Sequence, residues 1–89
     1  MKCEISSTYY YMKDNLLEKY PFLNEFDIEE IRGVNDYGFP YTKSYITVNS
    51  LEDLRTIMRK ADEANPVYFE GLLLDEIDGE LAIEIRDDL

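Results

Sequence analysis

Hydrophobic and polar residues change rhythm several times along this chain, and each change marks an element. From Lys2 to Tyr11 the chain is rich in Thr, Ile and Tyr. Alternation there sets Cys3, Ile5, Tyr9 and Tyr11 on one side, with Ser7 among them, which predicts a strand. Leu16, Leu17 and Tyr20 recur at helical spacing and Pro21 stops the pattern, so Lys13 to Tyr20 reads as a helix of about two turns. Phe26 to Arg32 reads as a strand with Phe26 and Ile28 inward, although Glu29-Glu30 and the step to Ile31 break the alternation. Gly33 to Tyr41 holds Asn35-Asp36, Gly38 and Pro40, residues suited to turns, and reads as a turn or exposed loop. Lys43 to Val48 follows as a strand.

The second half is more sharply patterned. Asn49 or Ser50 can cap a helix, with Glu52 or Asp53 three residues later to complete a capping box. Leu51, Leu54, Ile57, Met58 and Ala61 then form one apolar stripe, and the helix should end near Ala64, before Pro66. Val67 to Leu74 and Leu81 to Ile85 are strand-like, and Asp78-Gly79 is a strong two-residue hairpin signal. In that register Ile77 pairs with Glu80. Leu72, Leu74, Leu81, Ile83 and Ile85 then share an apolar face, while Asp75, Glu80 and Glu84 occupy the other. Gly71 stands where the inward parity changes from Val67 and Phe69 to Leu72 and Leu74, the position of a bulge. The elements predict an α+β fold: a small antiparallel or mixed sheet, two helices on one face and a C-terminal β-hairpin.

Length makes this one domain, residues 1–89, with a core too small for a deep substrate cavity. A hydrophobic content of 45% and an aromatic content of 13% are those of a folded chain, despite a net charge of -11. That charge is uneven. Residues 1–50 hold 8 acids and 5 bases, whereas 51–89 hold 12 acids and 4 bases, and from Ala61 onward Arg86 is the only base. Such a surface repels nucleic acid and anionic lipid and favours a basic protein partner. No apolar run reaches the length of a signal peptide or a membrane span, and a single cysteine, Cys3, allows no intrachain disulfide, so the expected setting is the cytoplasm.

The chain has no histidine, which removes the commonest general base and the commonest zinc ligand. Cys3 lies in a strand and reads as a small core residue rather than a nucleophile. Acid pairs such as Asp75 with Glu80, or Glu29 with Glu30, would need a cleft to separate their roles as acid and base. The run Asp75 to Glu80 lacks the ligand spacing of a calcium loop and reads as a solvated turn. No cofactor, metal or catalytic residue is expected, and the chain reads as no enzyme. Eight tyrosines are the more informative feature. Tyr9 to Tyr11 can cover the core or lie between subunits, and Tyr37, Phe39 and Tyr41 are candidate anchors for a partner. Asp75, Glu76, Asp78, Glu80, Glu84, Asp87 and Asp88 form a candidate acidic patch. It has two readings: a mimic of a phosphate array, or a face that keeps the protein soluble.

The pattern Ile46-Thr-Val-Asn-Ser-Leu-Glu-Asp-Leu54 leading into a helix, with the ending Ile83-Glu-Ile-Arg-Asp-Asp-Leu89, resembles short acidic accessory proteins of phages and prophages of Gram-positive bacteria. The resemblance implies a host-interaction role, including inhibition of nucleases or other defence proteins, and carries over no functional residue. The expected function is that of a small acidic protein-binding module, as in a nucleic-acid mimic, an anti-CRISPR protein or an antitoxin or immunity partner. The alternatives are a homo-oligomeric structural or accessory protein and a carboxylate-dependent metal-binding regulator.

Overall fold

The computed structural model describes residues 1–8 and 13–87. Five strands and two helices follow one another as β1 (Lys2–Ser7), α1 (Lys13–Lys19), β2 (Ile28–Val34), β3 (Pro40–Thr47), α2 (Leu51–Ala64), β4 (Phe69–Ile77) and β5 (Glu80–Asp87). A turn of 3-10 helix, Pro21–Glu25, joins α1 to β2. The sequence pattern did not announce this turn. Pro21 at its first position has no N–H to leave unbonded, and Leu23 inserts fully into the core.

The strands form one mixed sheet in the order β2-β3-β1-β5-β4. The central strand β1 runs antiparallel to β3, with Cys3 opposite Ile46, and parallel to β5, with Ile5 opposite Ile83. Alternation along these strands turns Cys3, Ile5, Ile46, Ile83 and Ile85 to one face, where all are buried. Leu16, Tyr20 and Leu23 join the same cluster from the first crossover, and Ile57 and Ala61 join it from α2. Each fully buried aliphatic side chain there is worth roughly 1.5–3 kcal/mol.

Several elements differ from the sequence pattern in extent, and for identifiable reasons. The expected loop at 33–41 shrinks to residues 35–39, because Gly33 and Val34 pair with Tyr41 and Pro40 to continue a β2–β3 hairpin. The expected apolar stripe of α2 narrows: Ile57 and Ala61 are buried and Leu54 is partly so, while Leu51 and Met58 face solvent. The capping box is displaced by one residue. Ser50 Oγ accepts from Asp53 N–H at 3.2 Å, but Asp53 Oδ2 accepts from Asn49 N–H, at 2.8 Å. Val67 is exposed in a turn, and β4 begins only at Phe69. Tyr9, Tyr10 and Tyr11, expected to extend β1, lie outside the described residues.

The final hairpin follows its predicted register, Ile77 opposite Glu80, Leu74 opposite Ile83 and Leu72 opposite Ile85. Asp78 and Gly79 adopt φ of 53° and 79°. These left-handed values twist the turn to match the strands and suit glycine at the second position. The register shifts between Phe69 and Gly71, as a bulge.

A buried polar group closes the end of the sheet opposite the Asp78-Gly79 turn. Tyr20 Oη donates to Asp87 Oδ2 at 2.5 Å and accepts from Asn65 Nδ2 at 3.3 Å. All three residues are buried. Hydrogen bonding makes that burial tolerable.

Candidate functional site

On the side of the sheet away from the core, alternation sets Asp75, Glu80 and Glu84 on the β4–β5 hairpin beside Glu4 of the neighbouring β1. Leu73, Ile77 and Ala82 project from the same side. Together with Ser6 they line a shallow depression of about 200 Å³ whose floor is apolar and whose rim is carboxylate. Among the described residues no ion pair involves Asp75, Glu80 or Glu84. The described pairs lie elsewhere: Lys2 with Glu29 at 2.7 Å, Arg32 with Glu30 at 2.7 Å, Arg55 with Glu52, Arg59 with Glu63, and Lys60 with Glu25. The hairpin carboxylates are thus left to act outward. Glu84 accepts a hydrogen bond from Thr8 Oγ1 at 3.3 Å, and Asp75 Oδ1 accepts from the Glu76 N–H at 2.7 Å.

Next to this acidic area the same side of the sheet turns basic and aromatic. Lys2 Nζ stands 5.1 Å from the centre of the Tyr45 ring, and Lys43 Nζ 5.6 Å from that of Tyr41. The hydrogen bond to Glu29 holds the Lys2 ammonium above its ordinary pKa of 10.5 against a smaller opposing effect of desolvation, and Glu80 adds a weak attraction from the hairpin. Lys2 therefore marks the border between the two areas.

The seven acids proposed as one patch are not one patch. Asp75, Glu80 and Glu84 share a side, as their spacing predicts. Glu76, opposite Leu81, takes the other side of the hairpin, and Asp78 sits in the turn. Asp87 is buried against Tyr20 and cannot belong to an exposed surface; its parity on β5 directs it to the core side with Ile83 and Ile85. Asp88 lies outside the described residues. Glu4, Leu73 and Ile77 complete the surface and were missed. Glu4 could be assigned only once β1 was known to lie beside β5, whereas the run Leu72-Leu73-Leu74 already placed apolar residues on both sides of one strand.

The aromatic candidates occupy a different corner. Asn35 Oδ1 accepts from the N–H groups of Tyr37 and Phe39, both at 3.0 Å, and the Asn35 N–H donates to the Phe39 carbonyl at 2.9 Å. This knot fixes the tip and leaves Tyr37 86% and Phe39 66% exposed. Tyr41 is different, because its ring lies over Gly33. A Cβ at Gly33 would stand 2.5 Å from the Tyr41 hydroxyl, so the glycine is what lets the ring lie down. The β2–β3 tip and the Asp78-Gly79 turn stand at opposite ends of the sheet and on opposite edges, since β2 runs with β1 and β4 against it. The structure does not bring the aromatic and acidic candidates together.

Among the described residues no three His, Cys, Asp or Glu side chains are grouped so as to hold a metal ion, and no helix is long and apolar enough to cross a membrane. No protein family, characterised protein or solved structure matches the chain.

Proposed function

We propose that this chain is a non-catalytic module that binds a basic surface of a partner protein with the outward side of its β4–β5 hairpin, in the manner of a nucleic-acid mimic. The observation that carries this reading is the group Glu4, Asp75, Glu80 and Glu84 on one side of the sheet, with no ion pair to Asp75, Glu80 or Glu84 among the described residues. Carboxylates held on paired strands are pre-arranged, so a basic partner gains attraction without ordering them first. Leu73, Ala82 and Ile77 supply an apolar floor on which the stems of lysine or arginine side chains can pack.

The reading requires that both helices lie on the core face and leave the opposite face open. Two features support that arrangement. Both helices feed the same buried cluster. The crossovers β1-α1-β2 and β3-α2-β4 also start from oppositely directed strands and travel in opposite directions, so right-handed connections place both helices on the same face. The natural target is an enzyme that handles nucleic acid in the cytoplasm, inhibited because its groove is filled. The host-directed role that the resemblance to short acidic phage proteins implies is of the same kind.

The test is capture of partners from a nuclease-treated bacterial lysate at low and high salt, followed by association kinetics with the purified partner. The triple variant Asp75→Asn, Glu80→Gln, Glu84→Gln is the probe. A basic nucleic-acid enzyme retained at low salt and released at high salt, with association slowed about tenfold or more by the variant, is the expected result. An association rate untouched by salt and by the three substitutions would refute the reading.

A further inference from the structure

The sheet has two edges, and they are unlike. The β2 edge reads Ile-Glu-Glu-Ile-Arg-Gly-Val and carries an ion pair between Glu30 and Arg32, charges of the kind that keep edges from pairing. The β4 edge reads Phe-Glu-Gly-Leu-Leu-Leu-Asp-Glu-Ile. Its centre is apolar on both sides: Leu73 is 41% exposed on the open side, Leu74 50% on the other, and Ile77 45% at the turn.

The turn fixes which backbone groups of this edge are free to pair. The Asp78-Gly79 turn closes on a hydrogen-bonded Ile77 and Glu80 pair, and hydrogen-bonded pairs alternate with non-bonded ones along an antiparallel ladder. Asp75 and Leu73 therefore bond inward to β5, while the N–H and C=O groups of Leu72, Leu74 and Glu76 point away from it; the Glu76 N–H is already held by Asp75 Oδ1, which leaves the Leu72 and Leu74 N–H groups to pair. No strand pairs with this edge among the described residues. Such a row is a template for an added strand.

Charge selects the occupant. Phe69–Ile77 contains Glu70, Asp75 and Glu76 and no base. A second copy would bring the same acids and a further net charge of -11 against them. We infer that the β4 edge takes up an extended segment of a partner protein in which lysine or arginine alternates with apolar residues. The bases of such an alternating strand share the open side with Asp75, and its apolar side chains cover Leu74 beside Leu72 on the other side. This inference rests on the basic-partner reading above and adds the mode of docking.

The experiment uses the whole protein and a short amidated peptide alternating lysine with valine, beside a copy of the peptide N-methylated at alternate amides. Amide exchange is followed residue by residue. In the free protein the amides of Leu72 and Leu74 should exchange fast, and the peptide should slow them about tenfold or more. The N-methylated peptide should lose most of this protection. Leu74→Pro removes an outward N–H while sparing the ladder to β5, and should abolish the protection in a protein that still melts cooperatively. If that variant fails to fold, the methylated peptide still decides.

Salt-sensitive binding with equal affinity for both peptides, and no protection at these amides, overturns strand addition while leaving the acidic face as the binding surface. Protection retained in the Asp75→Asn, Glu80→Gln, Glu84→Gln variant and at high salt supports strand addition as the mode of docking, but removes the mimic reading and overturns charge as what selects the occupant. Protection at these amides from self-association alone, seen as a dimer by light scattering, overturns the choice of occupant.

Discussion

Replacing Tyr20 with phenylalanine removes one oxygen and leaves the ring in place, including its edge-on contact with Phe22 at 6.2 Å. That oxygen holds two buried groups, as donor to the Asp87 carboxylate at 2.5 Å and as acceptor from the Asn65 amide at 3.3 Å. A hydrogen bond to a carboxylate contributes about 1.5–3 kcal/mol and a neutral one about 1 kcal/mol. The two share a centre and do not add in full, so the expected loss is about 2–3 kcal/mol. A domain of this size has a total stability of about 5–13 kcal/mol. The melting temperature should therefore fall by about 8–24 °C, at roughly 4–8 °C per kcal/mol. Urea unfolding followed by far-ultraviolet circular dichroism gives the free energy directly. Asp87→Asn and the double variant complete a cycle whose coupling should exceed about 1 kcal/mol. A loss below about 0.5 kcal/mol, or strict additivity in the cycle, would refute the assignment of Tyr20 as the group that makes a buried Asp87 tolerable.

Three smaller predictions concern single groups. Ser50→Ala should cost about 1 kcal/mol by removing the cap on α2, read from the urea midpoint at constant slope. Ser44 is buried and its Oγ has no hydrogen-bond partner among the described residues, so Ser44→Ala should leave stability unchanged or raise it by up to about 1 kcal/mol. Burial pushes the Cys3 thiol above its ordinary value of 9.0, and its Sγ lies 3.6 Å from the Ile46 carbonyl that accepts its hydrogen bond. The folded state thus resists losing this proton. Unfolded chains lose it first, so Cys3 contributes stability below about pH 9 and that contribution declines as pH rises toward the folded value. Alkylation by iodoacetamide at neutral pH should accordingly track unfolding; rapid labelling of native protein would contradict it.

Local chemistry was what the sequence expressed best. The Asp78-Gly79 turn, the parity change at Gly71 and the cap at Ser50 each depend on neighbours within a few residues, and each stands where the pattern places it. The α+β class followed from these elements. The site was only half readable, because its composition depends on which strands are neighbours. Glu4 reaches the acidic surface through the pairing of β1 with β5, which no local pattern encodes. Asp87 was assigned to the surface because a carboxylate near the end of an acidic run looks solvated; its partner Tyr20 is 67 residues away in sequence. Leu51 and Met58 misled in the opposite way. They fit the helical period, but only a narrow stripe of the helix meets the core, and Ile57 and Ala61 fill it.

The parallel pairing of β1 with β5 has a consequence for how the protein is made. Of the five strands of this sheet the central one is translated first, and one of its two flanks stays open until β5 has been synthesised. Until then Ile5 and Ile46 have no Ile83 or Ile85 to pack against, and the half-sheet β2-β3-β1 presents an unprotected inner edge. A chain cut short before β5 lacks one of the two neighbours of β1. We expect folding to complete only once β5 is made, so that an interruption between Ala64 and Arg86 yields a fragment cleared by proteolysis rather than a weakened binder.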